Sequence, residues 1–235
     1  MIPEALAHFI LPPLYLGVSF SYLVSTVVSL LLALDFRTLF SWSRVRDAWF
    51  ARYAARAGPG LRAMSEHKVM SLLQGRITHG RIPPPTSKNT TPSLREGGTP
   101  HPPVSGTVLE IGAKSGMWVS FFTPQYLPSV TKVYGIEANE AQYPALRRQI
   151  AAAGRDDGTY EILPLGIEDL AESGRVPLNS VDCIVTIACL CGIPDPEHNI
   201  RQLYRYLKPG GRWYVLEHVK CFKEQGVGMR LYQGE

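Results

Sequence analysis

Val108-Leu109-Glu110-Ile111-Gly112-Ala113-Lys114-Ser115-Gly116 is the stretch that decides the fold. An apolar run that carries an acid and then turns through two glycines reads as a β-strand feeding a ligand loop. The glycines let backbone come close to a bound molecule at the carboxyl end of a parallel strand. A dinucleotide loop expects glycine two places after Gly112 and again at position 117, where this chain has Lys114 and Met117. The pair Gly112 and Gly116 therefore belongs to another kind of nucleotide-type site, and Lys114 stands where such a loop keeps a small residue.

Downstream of this stretch, short apolar runs alternate with helical patterns. Strands are expected over 108–111, 132–137, 159–163, 181–188 and 212–219, each apolar enough to be buried on both faces of a parallel sheet. Asn139 caps a helix after the second strand, with Gln142 as the returning partner of a capping box and Gly154 as its stop. Leu146, Ile150 and Ala153 fall on one face of that helix. Asp195 and Pro196 open another helix, whose Ile200, Leu203 and Leu207 point inward and which Lys208-Pro-Gly-Gly211 closes. The class is α/β, over 107–235.

Upstream the composition changes. With 235 residues, 45% of them apolar, the chain has room for one ordinary domain and for additional segments. Ala5 to Leu34 contains no Asp, Glu, Lys or Arg, and the part after Pro12-Pro13 spans about 30 Å as a helix. Glu4 in place of a basic amino end, and the lack of an Ala-x-Ala site before Asp35, argue against a cleaved signal. A retained membrane anchor over 1–35 is therefore expected, single-pass or bent into a monotopic hairpin at Pro12-Pro13. Arg37, Arg44, Arg46, Arg52, Arg56 and Arg62 follow it and place the remainder on the cytosolic side. Phe36, Leu39, Phe40, Trp49, Phe50 and Tyr53 recur among them, so 36–75 reads as a basic amphipathic segment lying on an anionic lipid surface. A core helix of the globular domain is the other reading. Residues 76–106, rich in proline and glycine, read as a disordered tether.

The net charge of +4 comes with no zinc spacing and no basic strand interleaved with aromatics, so no nucleic-acid partner is expected. Cys183, Cys189, Cys191 and Cys221 form no disulfide framework, which suits a reducing compartment. Cys189-Leu-Cys191 lacks a second ligand pair, so no metal is expected.

Four signals occur in order: Gly112-x-x-x-Gly116, Tyr134-Gly-Ile-Glu137, Leu165-Gly-Ile-Glu-Asp169 and Leu207-Lys-Pro-Gly-Gly-Arg212. Together they resemble the class I S-adenosylmethionine-dependent methyltransferases. The resemblance implies a Rossmann-like sheet with S-adenosylmethionine as cofactor. It implies that Glu110, Gly112, Lys114 and Gly116 form the cofactor loop, that Glu137 accepts the ribose hydroxyls, and that Ile167 and Glu168 border the adenine. Many relatives hold an Asp for the adenine amine at the place of Gly166. The ammonium of Lys114 either pairs with the cofactor's carboxylate or repels its sulfonium and fills the pocket.

Within that superfamily the chain resembles the membrane-anchored methyltransferase-like 7 group, whose animal members are thiol S-methyltransferases of the endoplasmic reticulum and lipid droplets. The residues concerned are the apolar amino-terminal run, Val108-Leu-Glu-Ile-Gly112, Gly166-Ile-Glu-Asp169, Leu190-Cys191 and Leu216-Glu-His-Val219. This implies methyl transfer to a small-molecule nucleophile, an alkyl thiol, at the surface of one of those membranes. His218 is then the candidate base and Cys191 a candidate acceptor-side residue. A lipid or quinone acceptor is the alternative that the membrane address suggests.

Two departures from the family pattern point to a degenerate or truncated copy without turnover. A positive φ at Lys114 costs about 1–2 kcal/mol for a residue other than glycine. The chain also stops at Gly234-Glu235, so the sheet is expected to lack the final two strands and to leave Trp213-Tyr-Val-Leu216 as an open edge. A gene model truncated at an intron start (GGTGAG encodes Gly-Glu) accounts for that ending.

Overall fold

The computed structural model describes residues 4–77 and 101–218, with side chains from Pro13 on and that of Tyr15 excepted. Five strands, β1 (Gly106–Ile111), β2 (Val130–Ile136), β3 (Tyr160–Leu163), β4 (Val181–Ile187) and β5 (Leu207–Leu216), form one parallel sheet in the order β3-β2-β1-β4-β5. The order reverses between β1 and β4, which opens a crevice beyond their carboxyl ends.

Alternation along the strands makes two cores. Val108, Val133, Cys183 and Val185 face one side with Phe121, Phe122, Leu146 and Ile150. Leu109, Ile111, Ile136 and Ile184 face the other with Ile167, Leu170 and Leu203. Burying each large apolar side chain contributes about 1.5–3 kcal/mol, so Leu109→Ala in the central strand is a change the sheet tolerates poorly. At the amino ends of the strands, Asp182 takes the N–H of Thr107 at 2.8 Å and the ammonium of Lys208 at 2.8 Å, tying β1, β4 and β5 together. On the outer strand β3, Glu161 binds Lys132 and Arg175.

Helices α4 (Tyr143–Ala152), α5 (Ile167–Ser173) and α6 (Pro196–Tyr204) lie between the strands. Asn139 does cap, accepting from the N–H of Ala141, but it caps the 3-10 turn Glu140–Gln142 that precedes α4. The return partner is not Gln142, which is buried; the Asn139 N–H is taken by the carboxylate of Glu137 at 2.8 Å. Asp195 caps α6 by accepting from His198 N–H. β5 begins at Leu207, earlier than the motif suggests. Val181 pairs with Leu207 and Cys183 with Arg212, and the surplus residues of β5 fold outward at Lys208-Pro-Gly-Gly.

The amino-terminal part differs from expectation. Helix α1 (Glu4–Leu32) runs through Pro12-Pro13, α2 (Phe36–Leu39) follows, and α3 (Trp42–Leu73) returns along α1. Among the described residues no helix is long and apolar enough to cross a membrane, which corrects the expected anchor. The aromatic residues of α1 pack on α3 instead: Phe20 meets Trp49 edge-on, Tyr22 meets Tyr53, and the Trp49 indole N–H donates to the Ser19 carbonyl at 2.7 Å.

α3 also docks on the sheet domain. Arg62 donates to the Met117 carbonyl and the Ser120 hydroxyl and lies over the Phe121 ring, while Val69, Leu72 and Leu73 enter the core. The segment 36–75 thus carries a core-facing helix, with the guanidinium of Arg62 bound to protein. Most of the expected tether, 78–100, lies outside the described residues. Its two flanks meet, because the Val104 N–H donates to the Leu73 carbonyl at 2.8 Å. The carboxyl-terminal residues 219–235, on which the expected early end of the sheet turns, also lie outside the described residues.

Candidate functional site

The crevice at the switch point is a cavity of about 590 Å³. Ile111, Gly112 and Lys114 form its floor from β1, Ile136, Glu137, Ala138 and Asn139 its wall from β2, and Leu165 to Glu168 its wall from β3 and α5. Cys189, Gly192, Ile193 and Pro194 close the β4 side, and Arg46, Asp47 and Phe50 of α3 roof it. The roof is anchored by Asn139, whose side-chain N–H donates to the Asp47 carbonyl at 3.1 Å.

Glu137 organises the wall. Its carboxylate accepts the N–H of Lys114 at 2.7 Å on one oxygen and the N–H of Asn139 at 2.8 Å on the other. Burial raises its pKa above the usual carboxylate range, and the two backbone donors oppose that rise. Each oxygen keeps a free lone pair, so the group can accept a pair of vicinal hydroxyls.

Gly112 and Gly116 both take positive φ, at 67° and 82°. A Cβ on Gly112 would stand 2.8 Å from the Cβ of Cys189, so only glycine keeps this backbone against the β4 loop. Lys114 also takes positive φ, 52°, the condition under which a residue other than glycine carries strain there. Its ammonium reaches across to the Ala188 carbonyl at 2.7 Å and so links the ends of β1 and β4. The side chain edges the cavity without filling it.

Glu168 folds back toward Gly166. A Cβ at Gly166 would stand 2.5–2.6 Å from its carboxylate, so the glycine is what admits the acid there. The sequence offers no obvious replacement for the Asp that many relatives hold at this place, and the structure puts the Glu168 carboxylate beside it.

Two residues assigned to the loop lie elsewhere. Glu110 is absent from the cavity lining and sits in the core, where it accepts from the Tyr160 hydroxyl. That reach passes over Gly135, where a Cβ would stand 2.5 Å from the Tyr160 oxygen. Burial pushes the Glu110 pKa up to about 7. Gly116 packs on Gln149 and Leu146, beneath the loop.

On the acceptor side, Cys191 is exposed in the 3-10 turn Leu190–Gly192, and His218 is exposed just past β5; neither lines the cavity. Cys189 does line it, with burial holding its thiol well above the usual range. Glu217, not singled out from sequence, accepts the N–H groups of Cys189 and Leu190 and so fixes the β4 loop. The roof residues Arg46, Asp47 and Phe50 were also missed, because no motif marks them.

A family model described as a methyltransferase domain matches residues 90–230, and the chain belongs to that family. What the match shows is a methyltransferase-domain fold, and the crevice at its switch point is where such a fold would hold a methyl donor. Among curated proteins the chain is similar to the ubiquinone/menaquinone biosynthesis C-methyltransferases of Vibrio cholerae and Escherichia coli. The first is 43% identical over 54 residues, 23% of this chain and 21% of that protein. The second is 31% identical over 114 residues, 48% of this chain and 43% of that protein, so the chain spans less than half the length of either. Among solved structures, a SAM-dependent methyltransferase from Aquifex aeolicus is 23% identical with a TM-score of 0.36, covering 44% of this chain and 51% of that one.

These matches correct the narrower resemblance. They give no support to the membrane-anchored methyltransferase-like 7 group, and no helix among the described residues is long and apolar enough to cross a membrane, so the expected anchor and the membrane-surface partner and address built on it are not supported. The endoplasmic reticulum and lipid droplet assignments, with the cytosol-facing orientation, fall with it. So does the alkyl thiol at a membrane surface, for which the quinone alternative is the better supported reading.

The crevice fits the cofactor. It offers a buried carboxylate with two free lone pairs for a ribose, an apolar slot between Ile136, Leu165 and Ile167 for a purine, and bare backbone at Gly112.

Proposed function

We propose that the protein transfers a methyl group from S-adenosylmethionine to a ring carbon of a small quinol-type acceptor. The 31% identity to the ubiquinone/menaquinone biosynthesis C-methyltransferases over 114 residues carries this reading. When bound, the cofactor supplies an electrophilic methyl on a sulfonium. The chain's own task is then to hold, align and exclude water.

We assign Glu137 to the ribose hydroxyls, Gly112 to the close backbone approach, the Ile167 N–H to the purine ring and the Glu168 carboxylate to its amine. Lys114 holds Glu137 through its backbone, and its ammonium braces the β4 loop where the reacting end lies. Arg46, Asp47 and Phe50 shut water out from above. An ionised phenolic ring would itself be the carbon nucleophile: the new carbon–carbon bond forms as the methyl–sulfur bond breaks and leaves its electron pair on the neutral sulfide, and the ring proton is lost once the methylated ring is released to solvent. This chemistry leaves His218 and Cys191 outside the reacting atoms.

Incubating the full chain with radiolabelled S-adenosylmethionine and dithionite-reduced naphthoquinones tests the reading. Label in a ring-methylated product is the expected result. Label that appears only on a thiol or hydroxyl acceptor offered in parallel overturns it.

A further inference from the structure

Helix α3 is continuous in backbone but divided in its attachments. Its carboxyl-terminal half is held by the domain: Arg62 donates to the Met117 carbonyl at 2.9 Å and to the Ser120 hydroxyl at 2.8 Å, and Val69, Leu72 and Leu73 are core residues. Its amino-terminal half packs on α1 through Trp49 and Tyr53. Among the described residues one hydrogen bond joins that half to the domain, from the Asn139 side-chain N–H to the Asp47 carbonyl at 3.1 Å.

Between the halves lies Gly58-Pro59-Gly60, inside the helix. Proline lacks the N–H that would bond the Ala55 carbonyl, glycine on each side weakens a helix interior, and helices bend at such places. Pro59 and Gly60 are exposed and a Cβ on Gly60 would meet nothing within 4 Å, so packing does not account for either. A Cβ on Gly58 would meet the Met117 side chain at 3.5 Å, which sets the pivot against the domain. Asp47 lies about 16 Å before Gly58 along the helix, so a bend of about 20° swings it by roughly 6 Å.

The contact point on the domain belongs to the cofactor wall. The Asn139 backbone N–H donates to Glu137 at 2.8 Å, its side-chain oxygen accepts from the Ala141 N–H, and its side-chain nitrogen holds α3. The walls of the crevice come from the loops of the sheet, whereas its roof, Arg46, Asp47 and Phe50, comes from the amino-terminal half of α3.

We infer that Asn139 is a positioning residue that latches a hinged roof over the bound cofactor. The half-helix swings at Gly58-Pro59-Gly60 to admit S-adenosylmethionine, and a ribose on Glu137 steadies the loop from which Asn139 holds Asp47. The inference rests on the assignment of the ribose to Glu137 and is independent of the acceptor.

Asn139→Ser tests the latch, because serine caps as asparagine does but is too short to reach Asp47. Pro59→Ala with Gly60→Ala tests the hinge by completing the helix. Release of radiolabelled S-adenosylmethionine from the full chain into unlabelled excess is timed, association is followed by stopped flow, and amide exchange by mass spectrometry. Asn139→Ser releases the cofactor about fivefold faster at an unchanged association rate, the size proper to one neutral hydrogen bond, and its residues 44–53 exchange faster while 62–73 do not. The stiffened hinge slows association and release alike, by about threefold, and leaves affinity where it was. A general weakening of the fold gives neither pattern. Release at the parent rate from Asn139→Ser overturns the latch and leaves the cofactor reading in place, and parent rates in the stiffened variant overturn the hinge. Faster exchange over 44–53 in Asn139→Ser, with no S-adenosylmethionine bound by either protein, supports the latch and overturns its coupling to the cofactor.

Discussion

Glu110 and Glu137 occupy similar positions in sequence, each an acid at the carboxyl end of an apolar strand, yet the protein uses them in opposite ways. Glu137 comes one residue after β2 ends, where its oxygens catch two loop N–H groups at the rim of the cavity. Glu110 comes one residue before β1 ends, still inside the sheet, where Tyr160 meets it in the core. Two positions of register separate a rim carboxylate from a buried acid, and since side chains alternate with period two the face is the same for both. The lesson is that distance from the strand's end, more than motif membership, decides which acid reaches the crevice.

The largest effect is expected at the rim. Glu137→Ala removes the acceptor proposed for both ribose hydroxyls and frees two backbone donors. Affinity for S-adenosylmethionine then falls by about 10²–10³ in a calorimetric titration, as charged hydrogen bonds worth about 1.5–3 kcal/mol each imply. A loss under fivefold would erase the distinction between the two acids.

Glu110→Gln comes next and acts on stability. The folded-state pKa of about 7 lies above the unfolded value of 4.5, so the native state holds an extra proton between those pH values. Parent stability therefore declines as pH rises from 4.5 to 7 and levels off above, by roughly 3 kcal/mol from this group. The glutamine variant, neutral throughout and still able to accept from Tyr160, loses that decline and is the more stable protein at pH 8. Urea midpoints measured across this range read it, and parallel curves for the two proteins would contradict it. Cofactor affinity should change less than threefold.

Lys114→Gly has a smaller effect. Glycine accepts the 52° φ without strain and retains the N–H to Glu137, losing only the ammonium on Ala188. Affinity for the positively charged S-adenosylmethionine should rise about fivefold more than that for uncharged-sulfur S-adenosylhomocysteine, since like charges repel within the crevice. Equal changes for both ligands would show that the ammonium does not act on the sulfonium.

His218→Ala is expected to change kcat least, by under threefold, because the side chain is exposed outside the cavity. A fall of about a hundredfold, the size proper to a general base, would put His218 back at the reacting atoms.

The sheet could be read from sequence because parallel strands buried on both faces leave dense apolar runs, and Gly112, Glu137 and Ile167-Glu168 could be read because their spacing is local. Glu110 was misplaced because a run such as Val108–Ile111 does not say where the strand ends and the ligand loop begins. The fates of Arg46, Phe50 and Trp49 were hidden for a different reason. An arginine-rich aromatic helix has the same pattern whether it lies on lipid or packs across a domain, and only its long-range partners, Asn139, Met117 and Ser19, tell the two apart.

The seam between β1 and β4 has a kinetic side. Thr107 and Asp182, which meet there, are 75 residues apart, whereas β2 and β3 assemble from nearer neighbours. Closing so long a loop costs about 1 kcal/mol more entropy than joining β1 to β2, so this seam is expected to form after that pair, and with it the crevice that it borders. A ligand of a crevice completed after the folding barrier is then expected to slow unfolding more than it speeds folding.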